Sequence, residues 1–240
     1  MTTPTLHMLR MDLNGAALIR FAAAQGLARH DDDGFGYTLH AWLTAMFGDL
    51  APKPFYLQSA RDKYSATLLG YAQADQTRLM EHAVAFADPL ALTVLRPDSL
   101  ASKPMPSAWR AGQRLRLDVL ACPMTRKDGI EKDVYLRALE RLGEATPPRA
   151  DVYRDWLKRQ LQGAVELLDV RIDGLARVRM SRRAAAPGGG RRFVQIERPQ
   201  ALFSALANIR DPAAFAQILR RGVGRHRAFG FGMLLLKPAQ

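Results

Sequence analysis

Residues 222–236 have the sequence GVGRHRAFGFGMLLL, in which four glycines and three basic side chains precede an apolar run. Glycine lets the backbone adopt conformations closed to other residues and approach a ligand closely, and arginine presents a planar fork that matches phosphate oxygens. The segment therefore indicates a phosphate-containing ligand, above all nucleic acid. It is not a Walker motif, because no Gly-Lys-Ser/Thr follows, and Gly222-Val223-Gly224 lacks the third glycine of a dinucleotide fingerprint.

The positive charge of the chain is concentrated in its second half. The 240 residues carry a formal net charge of +12. Residues 1–115 contain 11 Lys/Arg against 10 Asp/Glu, whereas residues 116–240 contain 24 against 13. A charge that serves only solubility has no reason to gather in one half of a chain, so this asymmetry favours a polyanionic partner for the second half.

The composition also limits the cellular setting and the chemistry. Cys122 is the only cysteine, which excludes an intramolecular disulfide and a cysteine-rich zinc site. The N-terminus lacks a signal-peptide pattern, and no run approaches the roughly 18 apolar residues of a membrane span. We therefore predict a soluble, cytoplasmic protein without a membrane partner. The run Asp31-Asp32-Asp33 is interpreted as a solvated loop, and no metal or cofactor is expected.

The first half mixes strand and helix patterns, as an α+β sandwich does. Apolar residues at alternate positions predict a strand over Leu6–Leu13, and Asp75 is placed to cap a helix that ends near Phe86. Further helices are predicted over residues 15–28 and 37–47, and further strands over residues 55–58, 65–71 and 90–95.

The second half follows a segment, residues 100–112, in which Pro104 and Pro106 favour a linker. Strands are predicted over residues 114–120, 165–172, 175–180, 192–196 and 202–209 and at the C-terminus, and helices over residues 132–142, 151–161 and 211–221. Residues 181–192 are predicted to form a turn around Pro187-Gly188-Gly189-Gly190. The order strand, helix, strand, strand, helix, strand with an inserted hairpin is that of a ferredoxin-like domain.

An arginine-rich hairpin is the first candidate binding element. Six arginines surround the glycine turn without an acidic residue in the same stretch: Arg177, Arg179, Arg182, Arg183, Arg191 and Arg192. Their mutual repulsion is relieved when an anion neutralises them, and a two-stranded arm of this kind can follow the phosphates of a duplex. The alternative is a disordered basic loop; strands predicted on both sides favour an ordered arm.

Two histidines are candidates for proton transfer. His40 lies three residues after Tyr37, so on a helix the two side chains share a face and can meet one substrate; the alternative is an aromatic pair that only packs. His226 lies in the glycine-rich segment between Arg225 and Arg227, whose charges disfavour its cationic form. Phe229 and Phe231 are interpreted as packing residues.

Several segments resemble one family. Residues 222–236 are similar to the C-terminal glycine-rich loop of the CasE-type (Cse3-type) CRISPR RNA-processing endoribonucleases, members of the RAMP superfamily. Residues 36–43, GYTLHAWL, resemble the Tyr-x-x-Leu-His segment that carries their active site, and residues 151–157 and 209–215 also resemble segments of that family. The extra helix-length segment over residues 15–36 departs from typical members and indicates a variant subtype.

The resemblance implies an α+β fold with two tandem ferredoxin-like (RRM-like) domains, the second bearing the arginine hairpin. The expected organisation is an N-terminal domain over residues 1–103 with the active site, a linker over residues 104–112 and a C-terminal domain over residues 113–240.

The resemblance also implies a function. The family cleaves CRISPR repeat RNA at its hairpin without a metal, leaving a 2′,3′-cyclic phosphate and a 5′-hydroxyl, and stays bound to its product among other subunits of an effector complex, including a backbone RAMP subunit. By this resemblance His40 is the proton-transfer residue and Tyr37 its partner. The six hairpin arginines, with Gly222, Gly224, Arg225, His226 and Arg227, are the expected RNA-binding residues.

Two other functions remain open at this point. One is a non-catalytic subunit that binds an RNA hairpin within a CRISPR ribonucleoprotein complex, and the presence of His40 favours the enzyme over it. The other is a basic protein that binds DNA or membrane nonspecifically, with an affinity governed almost entirely by salt.

Overall fold

The computed structural model describes residues 4–27, 35–59, 65–185, 189 and 191–239. The chain forms two compact units, each assembled from three segments. The first consists of Met1–Ser107, Arg179–Ile196 and Ala228–Gly230. The second consists of Ala108–Val178, Glu197–Arg227 and Phe231–Gln240. Part of the arginine-rich hairpin and the middle of the glycine-rich segment thus belong to the same unit as the N-terminal half of the chain.

A four-stranded sheet forms the centre of the first unit. Its strands are β1 (His7–Asn14), β2 (Phe55–Ser59), β3 (Ser65–Ala72) and β4 (Ala101–Pro104). The strand order is β2-β3-β1-β4, and every pairing is antiparallel. Along β1, Leu9, Met11 and Leu13 point into the core and are fully buried, as their alternate spacing predicts.

Helices cover this sheet. They are α1 (Gly15–Ala24), α2 (Gly36–Phe47), α3 (Gln76–Phe86) and the short α4 (Pro89–Leu92). Leu39, Trp42 and Leu43 of α2 join the buried cluster that contains the β1 side chains. Trp42 also donates its indole N–H to the Ala91 carbonyl at 3.0 Å, which attaches α2 to α4. The core therefore fixes one face of α2 and leaves the opposite face for other contacts.

A second four-stranded sheet, joined by a small hairpin and three helices, continues the chain. The strands are β5 (Arg114–Ala121), β6 (Met124–Lys127), β7 (Ile130–Asp133), β8 (Val165–Ala185), β9 (Arg191–Ile209) and β10 (Leu234–Pro238). The helices are α5 (Val134–Leu142), α6 (Arg149–Leu161) and α7 (Pro212–Arg221). The sheet order is β10-β5-β9-β8, and β6 pairs only with β7.

Both sheets have the ferredoxin-like arrangement. In each, the first and third main strands lie in the centre, the second and fourth lie at the edges, and helices follow the first and third strands. The predicted fold class, α+β with two tandem ferredoxin-like domains and a long basic hairpin on the second sheet, is confirmed. The boundary predicted over residues 104–112 stays a prediction, and β4 ends at Pro104 on a sheet edge, where proline is tolerated.

Two predictions of local structure are wrong, and one helix begins two residues later than predicted. Residues 90–95 are not a strand, because Asp88 accepts the N–H of Leu90 and Pro89 occupies the first turn, so a short helix begins there. The helix predicted from residue 132 begins at Val134, after a β6–β7 hairpin whose Asp128-Gly129 turn has positive φ values of 52° and 80°. The turn predicted over residues 181–192 is too long, because β8 continues to Ala185 and β9 begins at Arg191. The strands predicted on each side of it are parts of these two continuous strands.

None of the helices in the described ranges is long and apolar enough to cross a lipid bilayer.

Candidate active site

Tyr37 and His40 lie together on the first turns of α2. The helix begins at Gly36, directly after Phe35, which has a positive φ of 49°. The i, i+3 spacing puts the phenol and the imidazole on one face of the helix. Both side chains are half-buried, whereas Leu39 and Trp42 are buried in the core. The core thus orients α2 so that Tyr37 and His40 remain partly accessible.

Phe229 packs against both of these rings. Residues 228–230 belong to the first unit together with α2. The Phe229 ring is stacked on Tyr37, with centroids 6.1 Å apart and planes inclined by 22°. It meets His40 edge to face, with centroids 5.8 Å apart and planes inclined by 78°. From the sequence, Phe229 was expected only to pack, and no local pattern connects it with Tyr37 or His40.

Gly36 permits this close approach. A Cβ atom at Gly36 would lie 2.7 Å from the carbonyl oxygen of Phe229 and 3.2 Å from its Cβ. Both distances are too short for an ordinary contact, and the nearer atom belongs to the backbone. Glycine is therefore required at this position by space, and α2 and the Phe229 turn pack main chain against main chain.

The pKa of His40 is lowered from its ordinary value of 6.5, first by burial and second by the positive charge of Lys53. Both effects disfavour the imidazolium, so the neutral imidazole predominates at neutral pH. A neutral imidazole can accept a proton, which is the role of a general base. Lys53, just before β2, is a further cation of this site that the sequence analysis missed, because it lies 13 residues from His40 in the chain.

The glycines at the two ends of the loop are required by packing in the second unit. A Cβ at Gly224 would lie 2.9 Å from the Trp156 ring, and one at Gly232 would lie 2.2 Å from the Val223 carbonyl oxygen. Gly222 ends α7 with a φ of 74°, and its N–H donates to Ile218. The Gly222 and Gly232 N–H groups are therefore already bonded to protein carbonyls. Contact of Gly222 and Gly224 with RNA stays a prediction.

Glu131 of β7 gathers three basic side chains in the second unit. Its carboxylate accepts from Arg225 Nε at 2.7 Å and from Arg198 Nη2 at 3.1 Å, and it lies 3.3 Å from His226 Nε2. Burial raises the pKa of Glu131, but the Arg225 hydrogen bond and the charges of His226, Arg225 and Arg198 outweigh it and lower the pKa overall. The sequence analysis weighed only the like charges beside His226 and missed this carboxylate.

The structure thus separates the candidate residues into two groups. Tyr37 and His40 meet around Phe229 in the first unit. Arg225 and His226 are engaged with Glu131 in the second, where only 7% of the His226 side chain is exposed. Arg227 donates to the Arg221 carbonyl at 2.7 Å. The partial burial of Tyr37 and His40 supports them over His226 as the proton-transfer residues.

The arginine-rich hairpin is described in part. Arg177 of β8 forms a 3.5 Å ion pair with Glu197 of β9, and both side chains are largely exposed. This acidic partner lies across the hairpin and was not considered in the sequence analysis. Arg179 also lies in β8. Arg182, Arg183, Arg191 and Arg192 lie in the two strands, but their side chains are outside the described part, as are the residues Asp31–Asp33.

Comparison with known proteins assigns the chain to a family. The model of a family described as "CRISPR associated protein" matches residues 6–238. A comparison with curated protein sequences finds no match.

Solved structures share the fold along almost the whole chain. CRISPR endoribonuclease Cse3 bound to a 19-nucleotide RNA is 20% identical, with a TM-score of 0.67 and coverage of 98% of this chain and 100% of that one. Thermus thermophilus Cse3, bound to an RNA representing a pre-cleavage complex, is 21% identical, with a TM-score of 0.61 and the same coverage. A chain of a CRISPR RNA-guided surveillance complex is 16% identical, with a TM-score of 0.54 and coverage of 96% and 100%.

The family-model match confirms the resemblance to CRISPR-associated proteins, and the solved structures share the fold. Because the family model covers nearly the entire sequence, the chain belongs to the family of CRISPR-associated proteins.

Proposed function

We propose that this protein is a metal-independent endoribonuclease that binds the repeat hairpin of precursor CRISPR RNA and cleaves it to mature guide RNA. The observation that carries the proposal is the pair Tyr37 and His40, partly accessible on one face of α2, with the pKa of the imidazole lowered. The family and the fold shared with RNA-bound Cse3 endoribonucleases support the choice of substrate.

The proposed reaction is an internal transesterification. The neutral His40 imidazole takes the proton of the ribose 2′-hydroxyl, and the 2′-oxygen attacks the adjacent phosphorus. The bond from phosphorus to the 5′-oxygen breaks, which leaves a 2′,3′-cyclic phosphate. The leaving 5′-oxygen takes a proton from the His40 imidazolium, directly or through the Tyr37 phenol, and becomes a 5′-hydroxyl, which returns His40 to its neutral form. Tyr37 orients the reacting groups or shares the proton, because its phenol lies on the same helix face as His40.

We assign RNA binding to the basic hairpin and the glycine-rich segment. An A-form stem offers its phosphates and its shape more readily than its base edges, so a row of arginines suits it. The strands β8 and β9 carry arginines on both sides of their turn. Arg225 and Arg227 add positive charge in the loop, although Arg225 already faces Glu131, as does His226.

The product is expected to remain bound as part of a larger complex. A chain with the same fold occurs in a CRISPR RNA-guided surveillance complex. We propose that this protein likewise holds the processed repeat and contacts other subunits, including a backbone RAMP subunit. This role requires slow release of the RNA, which dense phosphate contacts favour.

The test uses the purified protein and its cognate repeat RNA in EDTA. Wild-type protein is expected to cleave, whereas His40→Ala protein is expected not to, and an RNA with a 2′-deoxyribose at the cleavage site is expected to stay intact. If wild-type protein bound the repeat RNA tightly but left it intact, the result would instead support a non-catalytic subunit that binds the hairpin. Normal cleavage by His40→Ala protein with loss in His226→Ala protein would refute the site assignment.

A further inference from the structure

We infer that Phe229 is a positioning residue that holds the Tyr37 phenol and the His40 imidazole in their working orientation. The inference rests on the proposed function, because it assigns a role to Phe229 in the same site. The effect of the ring contact on the His40 imidazole can be measured in the free protein, without RNA.

The geometry favours simultaneous contact with both rings. Phe229 presents its face to Tyr37 at 22° and meets His40 at 78°, with centroid distances of 6.1 and 5.8 Å. Offset stacking and edge-to-face packing are the two arrangements that aromatic rings prefer, and both occur around this one side chain. Rotation of either partner ring would lose its contact with Phe229.

The backbone on both sides of Phe229 is adapted to this placement. Gly36 leaves room for the Phe229 carbonyl, because a Cβ there would lie 2.7 Å from that oxygen. Gly230 has a φ of 86° and would bring a Cβ to 3.4 Å from the Phe55 ring. The left-handed backbone conformation directly after Phe229 is free of steric strain only for glycine. The main chain of Phe229 is therefore placed by its packing against Gly36 and by the left-handed conformation of Gly230.

Core packing does not account for Phe229. Phe231, two residues later, is 4% exposed and lies in the core, as does the neighbouring Val223. Phe229 is only half-buried and contacts the two partly accessible side chains of α2. A ring that served packing alone would be expected among the buried residues, so its location against Tyr37 and His40 indicates a local role.

Direct stacking of an RNA base on Phe229 is the main competing role. This ring already contacts two protein side chains, Tyr37 and His40. A base-stacking platform acts on RNA affinity. A positioning residue acts on the rate of the bound complex, because small displacements of reacting groups reduce the rate without weakening binding. The two roles thus predict different kinetic effects.

The test compares Phe229→Ala and Phe229→Tyr with wild type. Single-turnover cleavage and the binding of a 2′-deoxy repeat RNA are measured, and NMR titration follows the His40 imidazole in free protein. For Phe229→Ala we expect at least about a tenfold lower cleavage rate, unchanged affinity and a higher pKa of His40, because part of its burial is lost. Phe229→Tyr keeps the ring and is expected to restore the rate and the pKa.

Phe86→Ala is the matched control. Phe86 and His82 also form an aromatic–histidine pair, with centroids 5.1 Å apart on α3, and Phe86 is 77% exposed. The loss of this ring is expected to change neither cleavage nor the pKa of His40. If Phe229→Ala likewise changed neither, the inference would be overturned. A rate loss caused wholly by weaker RNA binding would also overturn it, in favour of base stacking.

Gly36→Ala disturbs the same contact from helix α2. It is the second test variant if Phe229→Ala fails to fold. The added methyl must displace the Phe229 turn, so we expect the same loss of rate at unchanged affinity.

The proposed function and the role of Phe229 fail on different results. If wild-type protein did not cleave RNA, the proposed function would fall. A His40 pKa that rises in Phe229→Ala and returns in Phe229→Tyr would still support the positioning contact, and an unchanged pKa would refute it.

Discussion

His40 carries the proposed chemistry, and its local environment determines when it can act. Its pKa lies below 6.5 because of burial and then the charge of Lys53. In the folded protein the imidazole therefore stays neutral to lower pH than in an unfolded chain. Folding free energy is lost as the pH falls from the unfolded pKa of His40 towards its lower folded pKa, because the unfolded chain binds the proton first. The proposed general base is itself lost only as the pH falls through the folded pKa.

Lys53→Gln is predicted to raise the pKa of His40. Removal of the positive charge makes the imidazolium less unfavourable, so the neutral base is lost at a higher pH. The acid limb of the cleavage rate plotted against pH is expected to move to higher pH, and NMR titration of His40 is expected to show the same direction. Lys103→Gln removes an equal charge from β4 and is expected to leave both measurements unchanged. If Lys103→Gln shifted the acid limb or the pKa of His40 and Lys53→Gln did not, the effect assigned to Lys53 would be wrong.

The small β6–β7 hairpin is the element that supplies Glu131. Its carboxylate is 16% exposed and faces Arg198, Arg225 and His226, which come from β9 and from the glycine-rich segment. Three basic groups at one site repel each other unless a carboxylate compensates them. We therefore regard this hairpin as the electrostatic support for the start of the glycine-rich segment.

Glu131→Gln is predicted to reduce the free energy of unfolding by about 3 kcal/mol at neutral pH, because it leaves the largely buried Arg198 and the partly exposed Arg225 without a counter-charge. The pKa of Glu131 is lowered from 4.5, so its stabilisation is present above that pH and is lost as the pH falls through the lower folded value. Urea unfolding at several pH values measures both effects.

Glu166→Gln provides the control for this prediction. Glu166 lies 2.5 Å from Arg210, but its side chain is 43% exposed. A solvent-exposed ion pair contributes below about 1 kcal/mol, so a small change is expected. If both variants were equally stable, or if the wild type and Glu131→Gln differed as much in acid as at neutral pH, the role assigned to Glu131 would be wrong.

The elements that the sequence predicted are those with local signals. Asp75 caps α3 as expected, because a cap depends on residues about three positions apart, and Asp211 caps α7 in the same way. Alternation in β1 gave a strand with a one-residue difference at each end. The run over residues 90–95 was misassigned because its leucines suit a strand or a helix, and Asp88 and Pro89 decide in favour of the helix.

The site was predictable only in part for the same reason. Tyr37 and His40 are three residues apart, so helical spacing alone brings them together. Phe229 lies almost 200 residues away in the chain, and Glu131 lies 94 residues before Arg225. No local pattern reports such contacts. The Asp128-Gly129 turn is the one signal that pointed to the β6–β7 hairpin and was not used.

Part of the basic hairpin and the candidate catalytic residues come from different halves of the sequence but lie in the same compact unit. Residues 116–240 hold most of the surplus positive charge, yet residues 179–196 of the hairpin belong to the same compact unit as Tyr37 and His40. Arginines that are remote in sequence from the candidate active site are thus part of its unit. RNA affinity and cleavage are therefore expected to depend on different residues of one unit.

Arg182→Ala/Arg183→Ala is predicted to weaken RNA binding in a salt-dependent way and to leave cleavage of the bound RNA unchanged. Each lost phosphate contact reduces the slope of log affinity against log salt by about 0.7 to 0.9, so the double variant is expected to lose about 1.5. The measurement is repeat-RNA affinity between about 50 and 200 mM salt, with single-turnover rates at saturating protein.

Arg20→Ala/Arg78→Ala is the control, because it removes the same charge from exposed positions on α1 and α3. It is expected to keep the wild-type slope. Equal slopes for both double variants would show that net charge, and not the hairpin, attracts the RNA. A lower rate at saturation in Arg182→Ala/Arg183→Ala would show that the hairpin also orients the scissile phosphate.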